Sequence, residues 1–123
     1  NLLESLNFKY AHRKLPDPSE PRELHAKLVS NPRYLLVDIR DDESRRKDGV
    51  IAGPTEAIPL YRLHSDYDRL PDDRILVIVD IRANQAPPAI RYLLEKKYYF
   101  PQLTYLKGGL SAWKKEGLPV QAF

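Results

Sequence analysis

The chain has 123 residues, of which 42% are hydrophobic and 30% are charged, as in an ordinary globular domain that builds its own core. Its formal charge of +3 comes from 20 basic and 17 acidic residues spread along the chain, so no basic stripe predicts a nucleic-acid partner. The sequence contains no apolar run near the roughly 20 residues that a membrane-spanning helix needs.

Cysteine and methionine are both absent. The lack of cysteine excludes disulfides, thiolate metal ligands and cysteine nucleophiles together. It fits oxidising and reducing compartments equally, so the sequence assigns no localisation. Because the chain begins at Asn1 and contains no Met, we expect a processed product or a domain cut from a longer chain.

The first predicted elements are an arm and a helix. Residues 1–19 carry prolines and one short apolar patch, which predicts an irregular arm, and residues 20–123 predict a single domain. Pro21 is typical of a helix start, with Ser19 or Glu20 near the cap, and Asn31-Pro32 should end that helix. Its predicted inward face consists of Leu24, Leu28 and Val29.

Strands then alternate with helices, which implies a mainly parallel sheet covered on both faces. The predicted strands are residues 34–38, 57–60, 75–79 and 103–106. The predicted helices are a solvated one within the mixed-charge segment 39–48, one over 61–70, one over 89–97 and one over 110–116. The tetrapeptide Val-Asp-Ile-Arg occurs twice, at 37–40 and 79–82, each time at a predicted strand exit.

Residues 74–90 are the stretch around which the chain is organised. A run rich in Val and Ile predicts a strand buried on both faces, followed by a polar loop and a helix. Ligands bind outside the carboxyl ends of parallel strands, and helix N-termini favour anions. The loop is therefore the candidate site, and it contains Asp80, Arg82, two prolines and no thiol.

Three further motifs resemble a rhodanese-type domain over about Pro21 to Val120. Leu-Leu-Val-Asp-Ile-Arg at 35–40 resembles that family's early strand, which ends in Asp-x-Arg. Residues 49–60 resemble its Gly-His-Ile-x-Gly-Ala…Ile-Pro segment, with Val50 where His is usual. Leu-Lys-Gly-Gly-Leu-Ser-Ala-Trp at 106–113, continuing to Gly-Leu-Pro-Val at 117–120, is the most specific match.

The resemblance implies a three-layer α/β/α sandwich with a central, mainly parallel five-stranded sheet. It also implies a sulfurtransferase site, in which a cysteine at the end of the central strand opens a six-residue loop whose backbone N–H groups cradle a persulfide. Counted from the strand, the cysteine position falls on Asp80; counted back from the helix, it falls on Ile81. Neither residue is a thiol.

Sulfur transfer needs a thiolate that holds the sulfur as a persulfide, and a carboxylate cannot form that intermediate. A charge at Asp80 should also repel an anionic substrate by about 4 kcal/mol at about 4 Å and an effective dielectric near 20. Pro87 and Pro88 lack N–H groups for an anion cradle. The predicted degenerate loop consists of Asp80, Ile81, Arg82, Ala83, Asn84, Gln85 and Ala86.

Three interpretations of Asp80 remain open at this point. It could pair with Arg82 or Arg40, or accept hydrogen bonds from backbone N–H groups of the loop. It could be a phosphoryl acceptor, in a poorly spaced version of the receiver-domain pattern with Asp41, Asp42 and Lys107. It could also hold a divalent cation together with Asp38, Asp41 and Asp42, because hard cations favour carboxylates.

The preferred prediction is a rhodanese-like domain without catalytic residues, acting as a binding or regulatory module. The predicted binding residues are Arg40, Asp80, Arg82 and Asn84. No cofactor or metal is predicted, since His12, His25 and His64 lack ligand spacing. The expected partner is a protein or a neighbouring domain of a longer chain. The alternative is an enzyme that uses Asp80 in metal-assisted or phosphoryl chemistry. A third interpretation is that this domain only supports its neighbour structurally.

Overall fold

The computed structural model describes residues 14–96, 98 and 100–123. Strands and helices alternate along this part of the chain. In order they are α1 (Pro21–Ser30), β1 (Tyr34–Asp38), α2 (Asp42–Asp48), β2 (Thr55–Ala57), α3 (Leu63–Asp66), β3 (Ile75–Val79), α4 (Ala86–Lys96), β4 (Leu103–Tyr105) and α5 (Gly109–Lys115). Short 3-10 turns cover Leu60–Arg62, Tyr67–Arg69 and Phe100–Gln102.

The sheet has the order β2-β1-β3-β4, and its three strand pairs are all parallel. This confirms the predicted α/β sandwich, with four strands in the described residues where the resemblance implied five. Beside β4, Ser19 forms one isolated parallel bridge with Leu106. Pro21, two residues further on, has no N–H to donate to this edge and begins α1, so the bridge does not extend in that direction.

Alternating side chains of the two central strands supply two separate cores, one on each face of the sheet. Leu35, Val37, Leu76 and Ile78 pack against the inward face of α4 and against Leu63 of α3. On the other face, Leu36, Val77 and Val79 pack against Leu24 of α1 and against Leu110 and Trp113 of α5. The three-layer arrangement therefore follows from the uninterrupted apolar runs in β1 and β3.

Several predicted boundaries are corrected by the structure. The strand predicted over 57–60 lies instead at Thr55–Ala57, because Pro59 has no N–H to donate to a ladder. In place of the one helix predicted over 61–70, the structure has the short helix α3 between two 3-10 turns. The helix predicted over 89–97 begins at Ala86, with both prolines in its first turn, where backbone N–H groups have no partner within the helix.

The first helix ends where the sequence predicts, but Val29 is 80% exposed and does not belong to its inward face. Most of the predicted arm, residues 1–13, lies outside the described residues, and the boundary at residue 20 stays a prediction. No helix among the described residues is long and apolar enough to cross a membrane.

The turn Gly108-Gly109 holds α5 against the exit of β3. Both glycines have positive φ angles, 72° and 66°, which favour glycine. A Cβ atom on Gly109 would lie 2.5 Å from the carbonyl oxygen of Ile81 and 2.6 Å from the Arg82 nitrogen. The N–H of Leu110 donates to the Asp80 carbonyl oxygen at 2.8 Å. The glycine turn therefore fixes the backbone at the start of the candidate loop.

We predict that Gly109→Ala destabilises the fold by at least about 2 kcal/mol more than Gly117→Ala. Both positions have positive φ, but a Cβ atom on Gly117 would meet nothing within 4 Å. The control should therefore carry only the backbone cost of about 1 kcal/mol. Urea denaturation of both variants measures the difference, and equal losses would contradict the close approach of α5 to the loop.

Candidate functional site

A cleft opens at the carboxyl ends of β1 and β3, where parallel α/β sheets bind their ligands. Its volume is about 590 Å³, and we call it the site cleft. It is lined by the segment after β1, the segment around Pro59 and the loop after β3: Ile39, Arg40, Asp41, Ser44, Pro59, Leu60, Tyr61, Ile81, Arg82, Asn84 and Gln85. The predicted location of the site is therefore a cleft of the size that small ligands and peptide side chains occupy.

The Asp80 carboxylate lies inside the loop that it opens, and the residue is only 2% exposed. Its Oδ1 accepts a hydrogen bond from the Ala83 N–H at 2.6 Å. Its Oδ2 accepts from the N–H groups of Gln85 at 2.7 Å and Ala86 at 3.0 Å. The sequence left several roles open for Asp80, and the structure shows that its carboxylate accepts hydrogen bonds from backbone N–H groups of the loop.

This capping leaves the start of α4 without a free donor for an external anion. The Ala86 N–H binds Asp80, Pro87 and Pro88 have none, and the Ala89 N–H bonds the Gln85 carbonyl oxygen at 3.3 Å. These are the first four positions of the helix, whose N–H groups are the ones that bind anions elsewhere. The Asp80 carboxylate therefore takes the position at the helix start that an external anion would occupy.

Asp38 organises a second buried polar cluster at the end of β1. The Arg40 guanidinium binds this carboxylate through two parallel hydrogen bonds of 2.9 and 2.7 Å. Arg40 also donates to the Gly49 carbonyl oxygen at 2.9 Å, and its side chain is only 3% exposed. Arg40 is therefore held in the wall of the site cleft by neighbours of its own chain.

Arg45 joins the same cluster, which corrects the prediction of a solvated helix within 39–48. Its Nε donates to Asp38 at 3.2 Å, and the residue is 9% exposed. The helix begins only at Asp42, and Asp41 caps it by accepting the Ser44 N–H at 2.8 Å. That hydrogen bond lowers the pKa of the Asp41 carboxyl from its ordinary value. Arg40 and Arg45 are thus the buried charged residues of this segment, whereas Asp41, Asp42, Glu43, Arg46 and Lys47 face solvent, as the sequence predicts.

Arg82 and Asn84 are exposed at the edge of the site cleft. In the described part of the chain, no carboxylate lies within ion-pair distance of Arg82. The structure therefore divides the four predicted binding residues into two pairs. Arg40 and Asp80 are buried and bind groups of their own chain, although the buried Nη1 of Arg40 has no hydrogen-bond partner among the described residues. Arg82 and Asn84 are exposed and available for contact.

The aspartates proposed as metal ligands are engaged separately. Asp38 binds two arginines, Asp41 caps α2, and Asp80 caps the loop. Asp42 is exposed on α2 and lies 3.8 Å from Arg45. Among the described residues, no group of three His, Cys, Asp or Glu side chains is arranged to hold a metal ion. His25 packs edge-on against Trp113, with ring centroids 5.6 Å apart, and His12 lies outside the described residues. This part of the chain offers the metal-assisted alternative no ligand set.

The sequence interpretation overlooked Ser44 and Tyr61 as lining residues of the site cleft. Ser44 had a detectable signal, since Asp41-x-x-Ser44 spans the first turn of a charged helix. Tyr61 follows Pro59 at a strand exit, and only the observed backbone turn shows that it reaches the site cleft.

The fold and the site together indicate the class of protein: an α/β sandwich in which a Gly-Gly turn packs against the loop that follows the central strand, β3. Residues 20–116 match the family described as the rhodanese-like domain, and the chain belongs to this family.

Individual relatives agree with this assignment. A protein named sulfurtransferase from Allochromatium vinosum is 28% identical over 103 residues, covering 84% of this chain and 92% of its own. A rhodanese-related protein from Thermoplasma volcanium has a similar structure, with a TM-score of 0.74, 21% identity, and coverage of 85% of this chain and 97% of its own. The structure of a rhodanese-like domain from Anabaena sp. is also similar, with a TM-score of 0.73 and 27% identity; the match covers 86% of this chain and 79% of that one.

We predict that Asp80→Asn lowers the free energy of unfolding by about 2–4 kcal/mol, because an amide nitrogen would face backbone donors where a carboxylate oxygen accepts them. The matched control is Asp73→Asn in the exposed turn before β3, which should change stability by less than about 0.5 kcal/mol. Urea denaturation compares the two, and a loss as small as the control's would contradict the capping role of Asp80.

We also predict that Asp41 titrates below its ordinary value of 3.8, because its ionised form accepts the Ser44 N–H. Since the folded pKa is the lower one, the cap's contribution to stability is present above the unfolded value and is lost as the pH falls through the folded value. Carboxyl NMR titration measures this midpoint. Ser44→Ala removes the hydroxyl and should raise the pKa part of the way, and an unshifted Asp41 in the parent protein would count against the cap.

Proposed function

We propose that this rhodanese-like domain is a protein-binding module that does not transfer sulfur. The observation that supports the proposal is the buried Asp80 carboxylate, which accepts three backbone hydrogen bonds inside the loop. A rhodanese mechanism requires a thiolate that attacks a sulfane sulfur and carries it as a persulfide. This chain has no cysteine to perform that step.

An enzyme that uses Asp80 as a nucleophile is less well supported. Both carboxylate oxygens already accept hydrogen bonds, and the residue is 2% exposed, so an attacking oxygen would have to give up its partners and reach the surface. Lys107, the candidate cation of the phosphoryl-acceptor pattern, instead binds Glu20 at 3.0 Å. The residues left free at the site cleft are suited to recognition, and Arg82 and Asn84 are our proposed contact residues.

The catalytic part of the proposal is tested by incubating the protein with thiosulfate and cyanide, alongside an active sulfurtransferase from the same family as the positive control. We expect thiocyanate to form at the rate of the protein-free blank. Production above that blank would contradict the proposal, because it would require a sulfur carrier in a chain without thiols.

The binding part is tested by crosslinking the domain to its neighbours in the source cell. We expect Arg82→Glu to lose a partner that the parent domain and Arg33→Glu both retain. Arg33 is an exposed arginine before β1, at the opposite end of the sheet from the site cleft, so it controls for the change of charge. Identical partner lists for all three proteins would contradict a binding role of the loop.

A further inference from the structure

We propose that the site cleft binds an extended acidic peptide segment of a protein partner, in which an Asp or Glu side chain pairs with Arg82 and a neighbouring apolar side chain fills the cleft. This inference rests on the proposed binding function and names the kind of ligand. It depends on the Arg82 guanidinium, which faces one lining carboxylate, Asp41, that already accepts the Ser44 N–H at the start of α2. It also depends on the donors that the helix start lacks, and on a second cleft beside the first.

Arg82 is the cation that remains available to a ligand at this surface. Arg40 is held by Asp38, as described above. In the neighbouring region, Arg62 pairs with Asp66 at 2.9 Å and Arg69 pairs with Glu56 at 3.0 Å. The Arg82 side chain is exposed and has no such partner among the described residues. An arginine offers a planar fork of donors that fits a carboxylate through two hydrogen bonds.

A small free oxyanion is the wrong ligand for this loop. Sites for such ions use backbone N–H groups at a helix start, and here Asp80 takes the Ala86 N–H while the two prolines provide none. Away from the helix start, the donors left to a ligand are the backbone N–H groups of Arg82 and Asn84, which have no acceptor among the described residues, and several side chains. These side chains are the Arg82 guanidinium, the amides of Asn84 and Gln85, and the hydroxyls of Ser44 and Tyr61. These groups are spread around the cleft and suit a ligand with several polar positions.

The shape of the surface favours a peptide. A second cleft of about 280 Å³, lined by Arg62, Asp66 and Arg69 among others, shares Pro59 and Tyr61 with the site cleft. Tyr61 therefore lies between the two clefts, and it is 62% exposed. The two clefts adjoin at this exposed aromatic residue, so a ligand that occupies both must be longer than one side chain. Exposed tyrosines of this kind often contribute much of the binding energy in protein interfaces.

Apolar side chains complete the surface. Ile39, Leu60 and Ile81 line the site cleft together with Arg82. A peptide residue next to the paired acid can bury an aliphatic side chain against them, while the Asn84 and Gln85 amides bond the peptide backbone. The expected ligand motif is thus an Asp or Glu adjacent to a Leu, Ile or Val.

The test is selection of random peptides displayed on phage against the immobilised domain, followed by affinity measurement on the recovered peptides. We expect the selected sequences to carry the acidic–aliphatic pair. Arg82→Glu should weaken their binding by about 10- to 100-fold, which is the loss of one charge-assisted pair. Arg33→Glu makes the same charge change away from both clefts and should leave the affinity within about twofold of the parent's, as expected for a residue outside the contact.

Tyr61→Ala provides a second measurement, and we expect it to weaken the same peptides while the circular dichroism spectrum of the domain stays unchanged. Failure to select any peptide, selection of peptides without acids, or equal weakening by Arg82→Glu and Arg33→Glu would each overturn this inference. Selected peptides that ignore Arg82 would still support a binding module. Only thiocyanate formation or an unaltered set of crosslinked partners contradicts the proposed function itself.

Discussion

The Asp80 carboxylate and the three backbone N–H groups that surround it form the interaction on which the loop depends. Backbone donors that converge on one point create an anion-binding concavity, and here the anion is covalently part of the chain. The charge is therefore stabilised locally and does not need an arginine. The net negative charge remains in the loop, so both the occupied donors and the buried carboxylate disfavour a small anion at this position.

Two copies of Val-Asp-Ile-Arg show how context decides the role of the same residues. The copies leave adjacent parallel strands, with Asp38 in register with Val79. Asp38 binds its own arginine, Arg40, in a buried pair, whereas Asp80 binds backbone N–H groups and leaves Arg82 exposed. The first copy therefore forms a buried ion pair within the fold, and the second places the exposed Arg82 at the site cleft. The tight approach of Gly109 to Ile81 holds the second loop in place.

The sequence was sufficient for the fold because apolar runs, proline positions and the Lys-Gly-Gly turn are local signals. Residues 34–38 and the end of β3 lie where these signals predict them. The chemistry of the site was harder to predict. The sequence indicated the loop and Asp80, but it did not show whether Asp80 forms an ion pair, caps backbone N–H groups or binds a metal. That choice depends on which N–H groups point inward, a property set by loop conformation such as the left-handed Ala83 at φ 63°. The burial of Arg45 likewise could not be predicted from the charge pattern, because it depends on how α2 folds back to bring Arg45 against Asp38 at the end of β1.

The most direct test of the account is an NMR titration of the isotope-labelled domain with thiosulfate, observed at the amide protons of Ala83, Gln85 and Ala86. If an internal carboxylate occupies these donors, their chemical shifts will follow only the general effect of salt, matched by an equal ionic strength of sodium chloride. Saturable shifts of these three amides with thiosulfate alone would show that the loop accepts an external anion, and the central claim would then be wrong.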